Sequence, residues 1–434
     1  MLYLYTLQLE KLEKKGYKLY MNQIKPMLLT TLKSYDRSQF VKDVTAGIIV
    51  AIIALPLSIA LALASGVGPQ AGIFTAIVAG FVISAFGGSS VQIAGPTAAF
   101  ATIVAGIVAK DGLDGLVIST ILAGIFLILM GLCHFGSLIK FIPYTITTGF
   151  TSGIAVTIVI GQLKDFFGVT YPNGLKPIET MEKLNAFALG FSSFHVDALI
   201  VGGVSLAILI ISPYIFKRIP GSLIAVVIGI LMVKFLPLHV STIGNLYTIT
   251  NDLPSFHIPA VKFSMVKSAI PNAFTIAVLA AIESLLSCVV ADGMINGKHR
   301  SDTELVAQGL GNIASALFGG IPATGAIART AANIKNGGRT PVAGMVHSIT
   351  LVIVLVVLMP FAGMIPMPTI AAILFVVAYN MCQWRTFVHM LKTAPKSDII
   401  VLIVTFILTV VFDLVVAIEI GMVIACLLFI KRMS

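Results

Sequence analysis

The chain has 434 residues, of which 58% are hydrophobic and only 11% charged, and its mean hydropathy is +1.02. A soluble domain carries about 25% charged residues, so the composition excludes a soluble globular protein and predicts a polytopic membrane protein. The net charge of +10 comes from basic residues in short loops between apolar segments. Because these residues form no aromatic-interleaved patch, nucleic acid is excluded as a partner and membrane lipid is expected instead.

Apolar runs separated by charged or Pro/Gly-rich breaks predict fourteen membrane spans. The stretch from Val44 to Ala109 has no charged residue or histidine and is long enough for three of them. If the lysines and arginines of the short loops lie in the cytoplasm, both termini are cytoplasmic, as in a bacterial-type plasma membrane. The predicted spans are 45–65, 69–87, 91–109, 113–133, 142–163, 197–216, 222–237, 271–291, 303–319, 321–338, 343–361, 367–383, 398–411 and 413–430.

Two of these spans are broken by similar sequences. "ISAFGGSSVQIAGPTAA" (83–99) aligns with "ASALFGGIPATGAIARTAA" (314–332), and each is the third span of a block of seven. Seven is odd, so the second copy enters the membrane from the opposite side. The sequence therefore predicts a seven-plus-seven inverted repeat, an arrangement typical of secondary transporters.

Each broken span is expected to form a short extended strand followed by a half-helix, because non-helical backbone at membrane depth must be buried or line a cavity. We predict strands at 91–94 and 321–324, with Pro96 in the first turn of one half-helix and Gly325 at the start of the other. Their converging N-termini would favour an anion, although a neutral hydrogen-bonding substrate also fits. The alternative is two kinked helices that pack through small residues.

Two ionisable residues lie within predicted spans. Arg329, one turn after Gly325, would add positive potential beside the helix ends, or it would extend to the cytoplasmic surface. Glu283 is interpreted as the one carboxylate deep in an apolar span, and burial favours its protonated form. It would carry a coupling proton, ligate sodium with Ser284 and Ser287, or serve as a structural carboxylate.

Enzymatic and metal-dependent functions find no support in the sequence. No HExxH or GxSxG motif is present, and "GMINGKH" (293–299) lacks the spacing and the hydroxyl residue of a phosphate-binding loop. The four cysteines form no CxxC pair, and the seven histidines lack metal-ligand spacing. We therefore predict that the protein is not an enzyme and has no cofactor beyond a coupling H⁺ or Na⁺.

The chain resembles the sulfate permease (SulP) family, the relatives of the solute-carrier-26 anion exchangers and prestin, over residues 40 to 430. The segments that carry the resemblance are "ALPLSIALALASGVGPQAGIF", "GPTAA", "AIESLLSCVVAD" and "ARTAANIKNGGRTPVAG". The resemblance implies a proton-coupled symporter of sulfate or a related oxyanion that works by alternating access. Bicarbonate or dicarboxylate transport coupled to sodium or protons, anion exchange and a passive anion channel remain alternatives.

The resemblance also assigns domains and site residues. It implies a cytoplasmic arm (1–43), core segments for spans 1–4 and 8–11 (44–134 and 251–362) and gate segments for spans 5–7 and 12–14 (135–250 and 363–434). Glu283 and Ser287 take the ion-coupling position, where glutamate favours a proton. The implied substrate-binding residues are Leu57, Leu61, Thr97, Ala98, Gly325, Ala326, Ile327, Ala328 and Arg329.

Family members usually continue after the last span into a cytoplasmic STAS domain, whereas this sequence stops at "FIKRMS". The expected partners are a small inorganic or carboxylate anion and membrane lipid, with a homodimer as an open alternative.

Overall fold

The computed structural model describes residues 24–137, 144–172, 175, 177–216, 220–257, 263–411 and 420. Apart from a two-stranded sheet, the regular structure of these residues is helical. The helices are α1 (Leu28–Thr31), α2 (Arg37–Ala64), α3 (Pro69–Phe86), α4 (Ala98–Leu132), α5 (Tyr144–Phe167), α6 (Thr180–Gly190), α7 (Val196–Ile215), α8 (Gly221–Phe235), α9 (Ile243–Leu246), α10 (Phe263–Ile295), α11 (Ser301–Leu317), α12 (Ile327–Lys335), α13 (Val342–Ala362), α14 (Met367–Cys382), α15 (Trp384–Thr393) and α16 (Lys396–Val411).

Within the described residues, eight helical stretches are long and apolar enough to cross a membrane. Helices lie at the other predicted segments up to residue 411, but α8, α11, α12 and α16 have at most 17 residues. The predicted last segment (413–430) and most of the N-terminal arm lie outside the described residues.

Helix α4 covers two predicted segments and is broken between them. Gly112 has a φ of 71° and a ψ of −171°, which are not helical values. A positive φ is accessible to glycine without the steric penalty that a Cβ would bring. The break therefore falls where the predicted segments 91–109 and 113–133 meet.

The helices pack mainly within two sets. In the first, which we call the core set, α4 packs against α10 and α11, and α13 packs against α2 and α3. In the second, the gate set, α5 packs against α14 and α16, and α7 packs against α8 and α14. Contacts between the sets are sparser, for example between α2 and α14.

The two broken segments meet as an antiparallel pair of strands, β1 (Ala94–Gly95) and β2 (Thr324–Gly325). Ala94 lies opposite Gly325, and Gly95 lies opposite Thr324. Each strand lies just before a helix, so β1 leads into α4 and β2 leads into α12. Two predicted details were wrong: Pro96 precedes the cap of α4 instead of lying in its first turn, and Gly325 belongs to β2, while α12 begins at Ile327.

Two amphipathic or polar helices lie where the sequence predicted loops. Helix α6 occupies part of the long polar stretch 164–196 and begins with a reciprocal capping box between Glu179 and Glu182. Helix α15 occupies the basic connection after α14 and has no buried residue. Both were missed because their apolar residues are too few for a membrane span.

Candidate functional site

The strand pair brings the N-termini of α4 and α12 together in the middle of the core set. The backbone N–H of Ala326, the cap of α12, donates to Ile93 O at 2.9 Å. From α12, the side chain of Asn333 donates to Val91 O at 2.9 Å, and the hydroxyl of Thr330 accepts from Ile93 N at 3.1 Å. These bonds cross from one broken segment to the other, so the positions of the two helix ends depend on each other.

The surface between the helix ends is formed by small and apolar residues. Thr97, the cap of α4, has no side-chain capping bond, and it is partly exposed together with Ala326. Ile327 and Ala328 are exposed, whereas Ala98 and Gly325 are buried. Because the first N–H groups of a helix have no intrahelical acceptor, both ends offer hydrogen-bond donors and a partial positive charge.

Arg329 is buried behind this surface, at 2% exposure. Its Nη2 donates to Pro96 O at 3.1 Å and to the Ser58 hydroxyl of α2 at 3.4 Å, whereas its Nε and Nη1 have no partner among the described residues. No carboxylate in the described part of the chain lies within salt-bridge distance of the guanidinium. The arginine therefore links α12 to the start of α4 and keeps an uncompensated positive charge beside the helix ends.

Glu283 of α10 contacts the start of α4. Its Oε2 accepts a hydrogen bond from the Thr97 hydroxyl at 3.0 Å, and the side chain is only partly buried. A carboxylate on α10 therefore contacts the residue that begins the α4 half-helix. Gain or loss of a proton at Glu283 would change the charge directly beside the helix end.

The neighbouring serines anchor the second broken segment and do not join Glu283. The Ser284 hydroxyl lies 2.6 Å from the Thr324 hydroxyl and accepts from Gly325 N at 3.1 Å. Ser287 contacts the hydroxyl of Thr330 at 3.5 Å. In the described residues, no three His, Cys, Asp or Glu side chains are grouped closely enough to hold a metal ion.

The two leucines that the resemblance assigned to the site belong to α2. Leu57 is partly buried and packs against the apolar core, while Leu61 is buried within it at 2% exposure. The polar contact of α2 with this region comes from Ser58, which the sequence did not single out.

Glu283 is not the one carboxylate deep in a predicted span, because Glu304 of α11 is buried at 0% exposure. Its Oε2 accepts from the backbone N–H groups of Gly88 and Ser89 at 2.9 and 3.1 Å, and its Oε1 accepts from the amides of Gln92 and Gln308 at 2.8 and 2.9 Å. Four donors thus satisfy this carboxylate without a cation. It fixes the loop that leads into β1.

Further polar groups extend this network to β2 and α10. Asn312 of α11 exchanges two hydrogen bonds with the backbone of Ala323, each of 2.9 Å. The thiol of Cys288 on α10 donates to Gln92 Oε1 at 3.0 Å. The segments that lead into both strands are therefore held by amide and carboxylate groups of α11, and by the thiol of α10, that the sequence analysis did not identify.

A cluster around Asp43 fixes the connection that follows α12. Asp43, buried in α2, accepts from the Tyr35 hydroxyl at 3.0 Å and from Gln39 Nε2 and Arg339 N at 2.9 Å each, and it also contacts the Thr340 hydroxyl. Burial, followed by the hydrogen bond to Asp43, raises the pKa of Tyr35 to about 12. The start of α2 and the end of the α12 segment therefore form one packed unit.

A cavity of about 410 Å³ lies between the two helix sets. Along α4 it extends from Thr102 to Lys110, and α5, α6 and α16 contribute the opposite wall. Burial lowers the pKa of Lys183, which lines it on α6. The cavity begins about one turn beyond the start of α4.

Comparison with known proteins places this arrangement in a family. The profile of the sulfate permease family matches residues 40–405. The chain belongs to the sulfate permease family. It is 43% identical over 408 residues to YvdB of Bacillus subtilis, named as a candidate sulfate transporter, with 93% of this chain and 76% of YvdB covered. It is 34% identical over 403 residues to the bicarbonate transporter BicA of Picosynechococcus sp., with 90% of this chain and 70% of BicA covered.

Solved structures also share the fold. The murine anion transporter solute carrier 26 family member A9, in its inward-facing state, superimposes with a TM-score of 0.86 at 20% identity, over 96% of this chain and 72% of that one. The resemblance inferred from the quoted motifs is thus confirmed. This sulfate permease family member is an integral, multi-pass membrane protein of a transporter family rather than an enzyme.

Proposed function

We propose that this sulfate permease family member is a secondary active transporter of small oxyanions, with sulfate as the first candidate, and that it couples transport to protons. The observation that carries the proposal is the junction of two half-helix N-termini beside Arg329, whose buried charge has no carboxylate partner in the part of the chain that the structure describes. Backbone N–H donors and a guanidinium together suit an oxyanion. We assign the anion to the space bordered by Thr97, Ala98 and residues 325–329, with Leu57 and Leu61 on the α2 side.

The proposed architecture has fourteen spans in a seven-plus-seven inverted repeat. The antiparallel pairing of β1 with β2 and the strand-to-helix order in both broken segments support it, because a two-fold axis in the membrane plane relates copies in this way. On this arrangement both termini are cytoplasmic, in a bacterial-type plasma membrane.

The proposed core and gate domains follow the two helix sets. Each set packs mainly within itself, and the cavity of about 410 Å³ lies between them. In alternating access, the core set would carry the anion site past the gate set as a rigid body. A homodimer in the membrane belongs to the same proposal.

Glu283 is the proposed proton carrier, with Ser287 one helical turn later on α10. Its carboxylate is partly accessible and contacts Thr97 at the edge of the proposed anion site. The hydroxyls of Ser284 and Ser287 contact Thr324 and Thr330 instead. This arrangement favours a proton over a sodium ion, since sodium would require several oxygen ligands around one point.

Bicarbonate is the second candidate substrate, because BicA is 34% identical to this chain. A site built from backbone N–H groups and small side chains accepts either anion. Exchange and passive conduction are the competing modes.

Purified protein in proteoliposomes distinguishes these functions. Uptake of radiolabelled sulfate is measured with and without an inward proton gradient, with bicarbonate, fumarate, nitrate and chloride as competitors. We expect sulfate to accumulate above its equilibrium level only when the gradient is present. Uptake that never exceeds equilibrium under any ion gradient would reject coupled transport in favour of a channel or an exchanger.

A further inference from the structure

One face of α4 lines the cavity between the two helix sets. Thr102, Gly106 and Lys110 follow one another at intervals of four residues in α4, so they lie on the same side of the helix. All three line the cavity. A Cβ on Gly106 would meet no atom within 4 Å. The glycine therefore leaves open space between a hydroxyl group and an ammonium group.

The other walls of the cavity add two further donors, from Lys183 of α6 and Asn272 of α10. In the described part of the chain, neither Lys110 nor Lys183 lies within salt-bridge distance of a carboxylate, and the Asn272 amide makes no hydrogen bond. The Thr102 hydroxyl is buried and has no partner among these residues either. Four side chains with unused donor groups thus border one cavity.

The carboxylates that line the same cavity already have donors. Glu179 and Glu182 form the capping box of α6, in which each side chain accepts from the backbone N–H of the other. Glu182 Oε2 also accepts from Ile178 N at 3.0 Å. The two negative charges offset those of the lysines in part, but the unused hydrogen-bonding groups of the cavity are mainly donors.

These donors suit an anion with several oxygen atoms. Burial lowers the pKa of Lys183, and the charge of Glu182 opposes that shift only in part. An ammonium group that is partly removed from water is stabilised by an anion placed beside it. Hydroxyl, amide and ammonium groups can each donate to a different oxygen of an oxyanion.

We propose that this cavity is a second oxyanion site, separate from the one at the helix ends, in which Thr102 and Lys110 of α4 lie opposite Lys183 of α6. The site would hold the anion where the core set meets the gate set. The choice of sulfate as its ligand depends on the proposed function, whereas the preference for an oxyanion follows from the donors that line the cavity.

Equilibrium binding of radiolabelled sulfate to the purified full-length protein tests the second site. The concentration range is chosen to resolve two classes of site, and thermal unfolding checks the folding of each variant. Lys110→Gln combined with Lys183→Gln removes both charges and should weaken one class at least about tenfold. Lys110→Arg combined with Lys183→Arg keeps both charges and should retain that class. A folded double glutamine variant that binds sulfate like the wild type would overturn the proposal.

A steric test does not depend on charge. Gly106→Leu places a side chain in the open space of the cavity and should remove the same class of site. Gly203→Leu in α7 is the matched control, because a Cβ on Gly203 also meets no atom within 4 Å and this glycine is not among the residues that line the cavity. A folded Gly106→Leu variant that keeps both classes of site would contradict the proposed position.

Arg329→Ala separates this inference from the proposed function. The variant should weaken the site at the helix ends and leave the second class of site unchanged. Loss of all sulfate binding in Arg329→Ala, with no effect of the double glutamine variant, would show a single site and overturn the inference alone. Normal binding in Arg329→Ala, with loss of all binding in the double glutamine variant, would support the second site and reject the one proposed at the helix ends.

Discussion

Arg329 is buried and carries a charge that few groups around it compensate. A purely structural arginine would have a full set of hydrogen-bond partners. Among the described residues its guanidinium makes two hydrogen bonds, to Pro96 O and the Ser58 hydroxyl, while a buried charge normally needs full compensation. The unpaired donors point to a partner that binds and leaves. The sequence analysis left open that the Arg329 side chain extends to the cytoplasmic surface. Its exposure of 2% contradicts that alternative.

Replacement of Arg329 should therefore weaken anion binding. Loss of a charged hydrogen-bonding group costs about 1–3 kcal/mol, so Arg329→Ala should raise the sulfate KM roughly 5- to 150-fold at every pH. Lys335→Ala is the matched control, since Lys335 is an exposed cation at the other end of α12. Equal KM values for the two variants in proteoliposome uptake would show that Arg329 does not contribute to the site.

Glu304 should be essential for the shape of the site rather than for coupling. Glu304→Gln places an amide where four donors converge, so at least one buried donor loses its acceptor, at a cost of about 1–3 kcal/mol. We expect a lower unfolding temperature and loss of proton-driven uptake and exchange together. Glu182→Gln, at an exposed helix cap, is the control. A Glu304→Gln variant that remains stable but loses only proton dependence would assign coupling to Glu304.

At the scale of elements, the strand pair and its two half-helices depend on close backbone approach. Gly95→Ala would place a methyl group against Arg329 Nη1. The guanidinium must then move, and sulfate affinity should fall about as far as in Arg329→Ala, by roughly 1–3 kcal/mol. Gly203→Ala in α7, where a Cβ meets no atom within 4 Å, is the control. Wild-type sulfate affinity in a folded Gly95→Ala variant would contradict the arrangement.

The two broken elements could be predicted from sequence because Gly, Pro and Ser interrupt apolar runs at matched positions in both halves. The predicted strand limits, 91–94 and 321–324, were wrong, since the paired strands are Ala94–Gly95 and Thr324–Gly325 and a local pattern does not state which residues will pair across about 230 positions. Glu304 could not be recognised, because "SDTE" has the appearance of an exposed helix start, and its burial depends on the distant backbone of Gly88 and Ser89.

At the scale of the whole molecule, the two helix sets should move relative to each other during transport. Thr102 of α4 and Thr157 of α5 line the same cavity from the core and gate sides. We replace both by cysteine in a background without the four native cysteines and join them with a short bifunctional maleimide. Crosslinking should stop sulfate uptake, because the core set can no longer pass the gate set.

A second pair tests whether crosslinking itself is harmful. Ser205 of α7 and Thr369 of α14 lie in the gate set, with hydroxyls 2.9 Å apart. Joining cysteines at these positions should leave uptake active, because both helices belong to one moving unit. Full turnover in the Thr102–Thr157 crosslinked protein would reject rigid-body movement between the sets.

The central claim is that anion binding at the paired helix ends is coupled to a proton on Glu283, and gradient-driven uptake by Glu283→Gln tests it most directly. Glutamine keeps the shape and the neutral charge of a protonated glutamate, and it can still accept from the Thr97 hydroxyl. Sulfate–sulfate exchange should therefore persist in proteoliposomes, while accumulation driven by an inward proton gradient should disappear. Accumulation equal to that of the wild type would contradict the account, and loss of both modes in a folded variant would assign Glu283 a structural role instead.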